Sequence, residues 1–432
     1  MAQDRFGLPV NCDQPAAVAL YTEGLDLLLS ANAGAAERLD AALAEAPDFA
    51  LAHAARARLA QMYAQPAVAR EHAGIARKQA RGEREQGHVE AIALAVEGRA
   101  GDAMAQVARH ARDFPRDALP LSLALGVYGL LGFSGRVDHH EAQRDLLESV
   151  AHGWDEDWWF LTYLGWSYAE TFDPAKGAPL LDRALELNPR NAHAAHARAH
   201  AYYEAGEAAA GRDFVAAWLP DYDRDSQLHC HLTWHTALFA LQLGDVDAAL
   251  ALYDDAIRPD VATSPPLFTL ADAASLLWRL AAYGQTVDTA AWGPVAALAG
   301  NAFPHAGLPF ADVHATMAAA AAGADVAARI AEIDALVAAG KLAAGPVVPA
   351  LCRGLAAFDA GEPDRAVAIL EPALSELARI GGSHAQRDVI EDTVIIGYLR
   401  AGQNQAAAEA LERRTRHRAG HLDADWLGRI AV

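Results

Sequence analysis

Histidines with helical spacing are the residues of this sequence best suited to chemistry. Two stretches hold six of its 18 histidines, namely "HAAHARAH" at residues 193–200 and "HCHLTWH" at residues 229–235. Residues four apart share one face of a helix, so His196 and His200 should point the same way. The same holds for His231 and His235. Because two imidazoles with this spacing offer two nitrogens to one divalent ion, each stretch predicts half of a metal site.

Other residues could complete this metal site. Glu204 stands one turn beyond His200 on a stripe that begins at His193, and it could supply a carboxylate ligand. His314, in "FADVHATMA", could be a further ligand, and Asp312 could orient a ligating imidazole by hydrogen bonding. Zinc, manganese or iron would suit such ligands. Two alternatives stay open, namely packed histidines that fill a polar groove and a cluster that responds to pH.

Two further groups of residues are candidates for binding a small molecule. Tryptophans near the histidines could line a pocket or belong to the core; they are Trp159, Trp166 and Trp234. The stretch "GGSHAQRD" (381–388) suits a sharp turn followed by a helix, with Ser383 as the cap. Gln386, in the polar part of this stretch, is a candidate for binding a substrate. Arg387 and Asp388 could form a structural ion pair or anchor a substrate carboxylate.

Internal repeats predict the fold that positions these residues. A small residue, a larger apolar residue four positions on and a small residue seven positions on recur along the chain, at 35/39/42, 69/73/76, 103/107, 181/184, 249/253/256 and 366/370/373. This pattern is typical of the second helix of a tetratricopeptide unit. Each helical pair cannot cover its own apolar face, so neighbouring pairs must stack. We therefore predict an all-α, tetratricopeptide-like α-solenoid of stacked helical hairpins with a concave groove and essentially no sheet.

The repeats extend along most of the chain, which predicts a single helical-repeat domain over residues 1–432. The spacing loosens at residues 257–310, where proline and glycine become frequent, and we expect an irregular, loop-rich segment that folds over the concave face. Equivalent first helices of successive repeats should line that face side by side. Asn191 is the expected N-cap of the first histidine helix, which makes this segment the first helix of its hairpin. The two histidine pairs then lie on adjacent first helices, so they should be neighbours.

Composition and charge limit the class of protein. The net charge of −21 repels phosphate backbones, and no basic cluster is dense enough to offset it, so we expect no nucleic-acid partner. No apolar run reaches the roughly 18 residues of a membrane span, and the first residues do not resemble a signal peptide. The three cysteines lie far apart without a CxxC motif. These features predict a cytoplasmic protein with reduced thiols and no membrane partner.

Several stretches between about residues 90 and 425 resemble, in order and spacing, the tetratricopeptide repeat protein 38 family. The matching motifs are His-x-x-x-His at His196 and His200, Cys-His-x-x-Trp-His at Cys230, His231, Trp234 and His235, Asp-x-His at Asp312 and His314, and Gly-Gly-Ser-x-Ala-Gln-Arg-Asp at Gly381 to Asp388. The chain departs from the family pattern in "LSLALGVYGLLGF", which lacks a His-Asp pair, and at Tyr203, where a glutamate is expected. The resemblance implies the fold and leaves the activity open.

These observations support two main functions. The first is a small-molecule site in the concave face that holds a divalent metal ion, which could support hydrolysis or another Lewis-acid step. The second is a non-catalytic scaffold whose groove binds a peptide or protein partner. Self-association into a homo-oligomer is a third alternative. Histidines aligned on adjacent repeats favour the metal-dependent enzyme, with its reaction unknown.

Overall fold

The structure is a computed structural model that describes residues 2–416 and 421–430. Within this part of the chain, the strands form one antiparallel ladder of β1 (Ala2–Gln3) and β2 (Pro9–Val10), and the remaining elements are helices. The all-α prediction is therefore confirmed. Residue 1 and residues 417–420 and 431–432 of the predicted domain lie outside the described residues.

Helices of the first half of the chain pair into hairpins. In chain order they are α1 (Pro15–Leu29), α2 (Ala35–Glu45), α3 (Ala50–Met62), α4 (Pro66–Gln79), α5 (Gly82–Val96), α6 (Ala100–Asp113), α7 (Ala118–Ser122), α8 (His139–Val150), α9 (Trp158–Ala169) and α10 (Pro174–Leu187). Helix α1 packs against α2, α3 against α4, α5 against α6 and α9 against α10. The short α7 interrupts this regular pairing.

The second half continues the same arrangement. Its helices are α11 (Ala192–Glu204), α12 (Ala208–Trp218), α13 (His229–Gln242), α14 (Val246–Leu252), α15 (Pro266–Ala282), α16 (Thr289–Ala302), α17 (Pro309–Ala321), α18 (Ala327–Ala338), α19 (Val347–Asp359), α20 (Pro363–Ala373), α21 (His384–Arg400), α22 (Asn404–Thr415) and α23 (His421–Ile430). Helix α14 runs on into a π-helical turn at Tyr253–Ile257. None of the helices in the described ranges is long and apolar enough to cross a membrane.

The repeat positions identified in the sequence form the contacts within each hairpin. Leu39, Leu181 and Leu370, the larger apolar residues of three repeats, are all 0% exposed, and small residues flank them. The pair α9 and α10 shows why small residues are needed. A Cβ atom on Gly177 would clash with the carbonyl oxygen of Gly165 on the facing helix. Close approach of the two helices thus depends on both glycines.

First helices of successive hairpins pack side by side, as the repeat pattern predicted. Helix α9 contacts α11, α11 contacts α13, α13 contacts α15 and α15 contacts α17. The chain also returns to its beginning, since the backbone N–H of Ala192 donates to the carbonyl of Ser30 at 3.1 Å. The amide of Asn32 similarly donates to the carbonyl of Arg190 at 2.9 Å. The hairpins therefore curl around an interior space.

The connection between α7 and α8, residues 123–138, reaches into this interior and contacts the second half of the chain. The side-chain amide of Gln386 donates to the hydroxyl oxygen of Tyr128 at 3.1 Å. The guanidinium of Arg379 donates to the carbonyl of Gly135 at 2.7 Å. This connection therefore links the two halves of the solenoid around the interior.

The stretch 257–310 differs from the prediction of an irregular segment, because α15 and α16 occupy most of it. Its prolines include Pro266, the first residue of α15, and Pro309 is likewise the first residue of α17. Proline is favoured at this position because its missing N–H would have no partner in the first turn. These prolines therefore begin helices. Of the described residues in this stretch, those that line the interior cavity are at the start of α15, namely Pro265, Leu267 and Phe268.

Candidate functional site

Four histidines converge where α11 packs against α13. They are His196 and His200 on α11 and His231 and His235 on α13, and we name them the histidine quartet. One ligand nitrogen from each lies within 4.8 Å of the other three. The side chain of Asn191 caps α11 by accepting from the N–H of Ala194 at 3.2 Å, which fixes where this helix begins. The structure thus brings together both pairs that the spacing predicted.

The spacing within the quartet is close to that of a metal site. The ring centroids of His196 and His200 are 4.5 Å apart, and those of His196 and His235 are 5.1 Å apart. The Nε2 atoms of His196 and His200 are separated by 2.9 Å. A tetrahedral ion with bonds of about 2.0–2.1 Å holds its ligand nitrogens about 3.3 Å apart. Small side-chain rotations would therefore suffice to bind one ion.

Two buried carboxylates stand behind the quartet. Nδ1 of His200 lies 2.8 Å from Oε1 of Glu170, the residue after the last turn of α9. Nδ1 of His231 lies 2.9 Å from Oδ1 of Asp272 on α15. A carboxylate at Nδ1 fixes the tautomer and leaves Nε2 with its lone pair available. Histidines that bind metals in proteins usually have such a partner.

His235 has the least satisfied side chain of the four. It is 0% exposed, and neither ring nitrogen has a hydrogen-bond partner among the described residues. Buried polar atoms in folded proteins are almost always hydrogen-bonded or bound to an ion. A metal ion shared with the other three imidazoles would satisfy one of these nitrogens.

The protonation states favour binding of a cation. Burial, reinforced by the neighbouring imidazoles, holds the pKa of His196 and of His235 well below its usual value, so both rings are neutral at pH 7. Burial opposes ionisation of Glu170, but His200 and the other surrounding histidines outweigh it and hold the pKa of this carboxyl well below its usual range. Burial raises the pKa of Asp272, and His231 offsets part of that rise. Neutral imidazoles are the form that binds metals.

Glu170 also belongs to a second group of titratable residues. Its Oε2 atom lies 3.4 Å from Nε2 of His140 and 3.9 Å from Nδ1 of His384. Nδ1 of His384 in turn lies 3.5 Å from Oε1 of Glu204. Glu204 therefore faces His384, which corrects its predicted place among the metal ligands of the quartet.

A third group, His88, His110 and Asp117, lies in the first half of the chain. Its carboxylate accepts hydrogen bonds from His88 at 3.0 Å, from His110 at 2.9 Å and from the guanidinium of Arg84 at 2.8 Å. Arg84 also bonds Asp4 near the first strand at 2.7 Å. The oxygens of Asp117 already accept hydrogen bonds from two imidazoles and a guanidinium, so this group ties the N-terminal segment to α5 and needs no metal ion to satisfy its carboxylate.

A cavity of about 910 Å³ occupies the interior of the solenoid beside the quartet. Most of its wall is apolar and comes from both halves of the chain. His196 lies on this wall, and the other three members of the quartet lie behind it. A small molecule in the cavity would therefore approach an ion held by the quartet at His196.

The three candidate tryptophans have different positions. Trp166 lines the cavity, as predicted, and contacts His140 with 5.6 Å between ring centroids. Trp159 is 1% exposed and packs on Trp154, so it belongs to the core. Trp234 is also buried, where it stacks on His231. Neither Trp159 nor Trp234 lines the cavity, which corrects their predicted role in substrate binding.

Asp312 and His314 lie outside the quartet. The carboxylate of Asp312 pairs with Arg329 at 2.6 Å, so it orients an arginine and no histidine of the quartet. Nδ1 of His314 contacts the carbonyl of Phe310 at 2.7 Å, within the same helix. Both residues are on α17, and α15 separates α17 from α13. Asp312 and His314 therefore lie one hairpin further from the quartet than the sequence predicted.

The motif at 381–388 has a supporting position. Ser383 and Gln386 form a capping box at the start of α21, as the sequence indicated for Ser383. Arg387 donates to the carbonyl of Gly382 and lies 3.3 Å from Nε2 of His140. Asp388 accepts from the hydroxyl of Tyr203 at 2.7 Å. Gln386, Arg387 and Asp388 do not line the cavity, which corrects their assignment to substrate binding.

Glu170 and Asp272 were missed in the sequence. A signal was present, because each is a single acid in an otherwise uncharged helical stretch, "FLTYLGWSYAET" and "FTLADAASLLW". A carboxylate in such a stretch is costly to bury unless it has a partner. That cost indicates a histidine or a cation nearby.

No protein-family model matches the chain. Among solved structures, it is similar to a monomeric mutant of IFIT1 with Gppp-AAAA, at 14% identity, 95% coverage of this chain, 92% coverage of that chain and a TM-score of 0.43. It is also similar to yeast Tom70, at 13% identity, 96% and 95% coverage and a TM-score of 0.34. At these TM-scores neither likeness indicates a function.

Proposed function

We propose that this protein binds one divalent transition-metal ion through the histidine quartet and that the ion acts on a small molecule in the interior cavity. The observation that carries this proposal is the convergence of four imidazoles from two neighbouring helices, two of them backed by carboxylates. Zinc, manganese and iron all accept imidazole ligands.

The charges around the quartet favour binding of a cation. Glu170 and Asp272 are 1% and 0% exposed, and each contacts one imidazole of the quartet. Buried carboxylates are stable only when their charge is compensated. A divalent ion among the four imidazoles would compensate both carboxylates at once. It would also give His235 the partner that the described residues do not provide.

The position of His196 determines which side of the ion a substrate could reach. His196, Thr162 and Trp166 line the same cavity, so a bound molecule would lie against this wall. A bound divalent ion would acidify a coordinated water molecule or polarise a carbonyl group. We therefore favour a metal-dependent hydrolase or a related enzyme.

The sequence resemblance concerns the family membership of the chain. All four quartet histidines fall within motifs that resemble the tetratricopeptide repeat protein 38 family. We propose that the chain is a member of that family and acts in the cytoplasm. We propose a small molecule as its ligand, and the helical hairpins form the scaffold of the site.

Metal analysis of the purified full-length protein tests the proposal. After expression with added zinc, manganese and iron salts, we expect about one metal ion per chain in the wild type and almost none in the double variant His231→Ala, His235→Ala. The control is His53→Ala, His72→Ala, which removes another close histidine pair, whose Nδ1 atoms are 2.9 Å apart. This control should keep its metal.

Thermal unfolding of each variant checks that it is folded, and His235→Gln provides a milder change if the double variant is not. Absence of stoichiometric metal from the wild type would contradict the proposal. So would equal metal contents in the wild type and a folded quartet variant. Either result would favour the non-catalytic scaffold that binds a peptide or protein partner.

A further inference from the structure

Arg58 is a charged residue on the cavity wall that has no part in the metal proposal. It lies on α3, is half-buried, and donates to Oε1 of Gln61 at 2.8 Å. Within the described part of the chain, no carboxylate oxygen lies within 4.0 Å of its side-chain nitrogens. The amide of Gln61 donates onward to the carbonyl of Ala95. A guanidinium with five N–H donors thus has one neutral acceptor.

The composition of the cavity wall contrasts with that of the whole chain. The chain has a net charge of −21, yet none of the described residues that line the cavity is aspartate or glutamate. Two are arginines, Arg58 and Arg136. Arg136 is exposed and already pairs with Asp138 at 2.6 Å. Arg58 is therefore the lining cation that lacks a counter-charge.

The polar residues close to Arg58 are neutral. Tyr163 and His193 line the same wall, with their ring centroids 5.8 Å apart. Burial raises the pKa of Tyr163 to about 12 and lowers the pKa of His193 to about 4. Burial also lowers the pKa of Arg58 to about 10, which leaves it charged at pH 7. This part of the wall therefore presents a single positive charge among hydroxyl, imidazole and apolar groups.

We propose that the cavity binds a carboxylic acid with an apolar hydrocarbon body and that the carboxylate of this molecule pairs with Arg58. One guanidinium balances one negative charge, which favours a monoanion over a dianionic phosphate. The apolar walls are mainly leucine, alanine, methionine and phenylalanine, which suit the hydrocarbon body. The cavity, at about 910 Å³, falls within the roughly 300–1,000 Å³ range of small-molecule pockets.

Binding of this acid does not depend on a metal ion, although its assignment as the substrate rests on the proposed function. His196 lies on the same wall and on the same helix as His193. A molecule anchored at Arg58 could therefore extend along α11 towards the quartet. The head group would be held at Arg58, and a reacting group would lie near His196.

Fluorescence titration of the full-length, chelator-treated protein tests the proposal. The probes are dansylated undecanoic acid, its neutral methyl ester and the matching alkyl phosphate. We expect the acid to bind the wild type at least tenfold more tightly than the ester, because a charge-assisted hydrogen bond in a partly buried site is worth about that factor. The phosphate should bind no more tightly than the acid.

Substitutions locate the binding of the acid. Arg58→Met should weaken binding of the acid about tenfold or more and leave binding of the ester unchanged. Arg58→Lys should retain part of the preference for the acid. Arg136→Met, which removes the arginine that is already paired, should bind both probes like the wild type. If Arg58→Met does not fold, the comparison of acid and ester in the wild type and in Arg58→Lys remains.

Several results would overturn the proposal. They are failure of the acid to bind, equal binding of acid and ester to the wild type, tighter binding of the phosphate than of the acid, and equal loss of both probes in a folded Arg58→Met variant. Normal acid binding by the chelator-treated wild type, together with absence of stoichiometric metal from the wild type expressed with added metal salts, would refute the proposed function and leave this one intact.

Discussion

Replacement of Asp272 by asparagine should weaken metal binding without unfolding the protein. Both oxygens of Asp272 lie close to Nδ1 of His231, at 2.9 and 3.0 Å. Asparagine has nearly the same shape, and its carbonyl oxygen can still accept from the imidazole. The change therefore removes a negative charge and preserves the orientation of the ring.

The expected loss of affinity follows from the position of Asp272. It is 0% exposed, so solvent and salt screen its charge little. Mutation of the hydrogen-bonded partner behind a metal ligand typically costs about 10–100-fold in affinity, or about 1.4–2.7 kcal/mol. Burial raises the pKa of Asp272, which means that its charged form is destabilised in the metal-free protein. We therefore expect the metal-free variant to be about as stable as the wild type.

Competition for Zn²⁺ with a chromophoric chelator measures this effect. Asp182→Asn is the control, because Asp182 pairs with Arg198 of α11 at 2.7 Å and is exposed, so it should not change the affinity. An affinity within twofold of the wild type in Asp272→Asn would refute the reasoning. An equal decrease in the control would also refute it.

Three further predictions concern stability and reactivity. Burial lowers the pKa of His314 to about 4 in the folded protein, against about 6.5 in the unfolded chain. Protons therefore bind the unfolded chain preferentially, and the free energy of unfolding falls as the pH drops from about 6.5 towards 4. In urea unfolding, the loss of stability between pH 7.5 and pH 5 should be about 2 kcal/mol smaller for His314→Asn than for the wild type; equal losses would contradict the assigned cause. Gly177→Ala should lower stability by about 2 kcal/mol through its clash, whereas Gly74→Ala, on an open helix surface, should raise it by up to about 1 kcal/mol; calorimetry that ranks them in the opposite order would contradict the close packing of α9 and α10. A thiol reagent should modify Cys12 alone in the folded protein, because the other two cysteines are buried; rapid modification of all three would contradict that burial.

The hairpin architecture was readable from the sequence because it depends on local spacing. Small residues at fixed intervals, such as Ala42 and Ala184, are buried in the structure as the repeat pattern requires. The convergence of the histidine pairs followed from the same rule, since adjacent first helices pack side by side. Pro266 and Pro309 begin helices where the sequence predicted loops, because proline at the first helical position and proline in a loop look alike in a sequence.

The partners of the quartet depend on packing across hairpins, which spacing does not specify. Glu204 lies one helical turn beyond His200 on α11, as the spacing requires. His384, the first residue of α21, meets it there, with Nδ1 of His384 at 3.5 Å from Oε1 of Glu204. Glu170 and Asp272 come from the helices on either side of α11 and α13, so their contacts appear only when the hairpins are stacked.

X-ray absorption at the zinc edge of the Zn²⁺-loaded protein tests the central claim most directly, because it reports which atoms surround the ion. We expect four nitrogen scatterers at about 2.0–2.1 Å with the outer-shell pattern of imidazole rings. The variant His231→Ala, His235→Ala should lose this spectrum, and His53→Ala, His72→Ala should retain it. A shell dominated by sulfur or carboxylate oxygen, or an imidazole spectrum unchanged in a folded quartet variant, would show that the ion binds elsewhere.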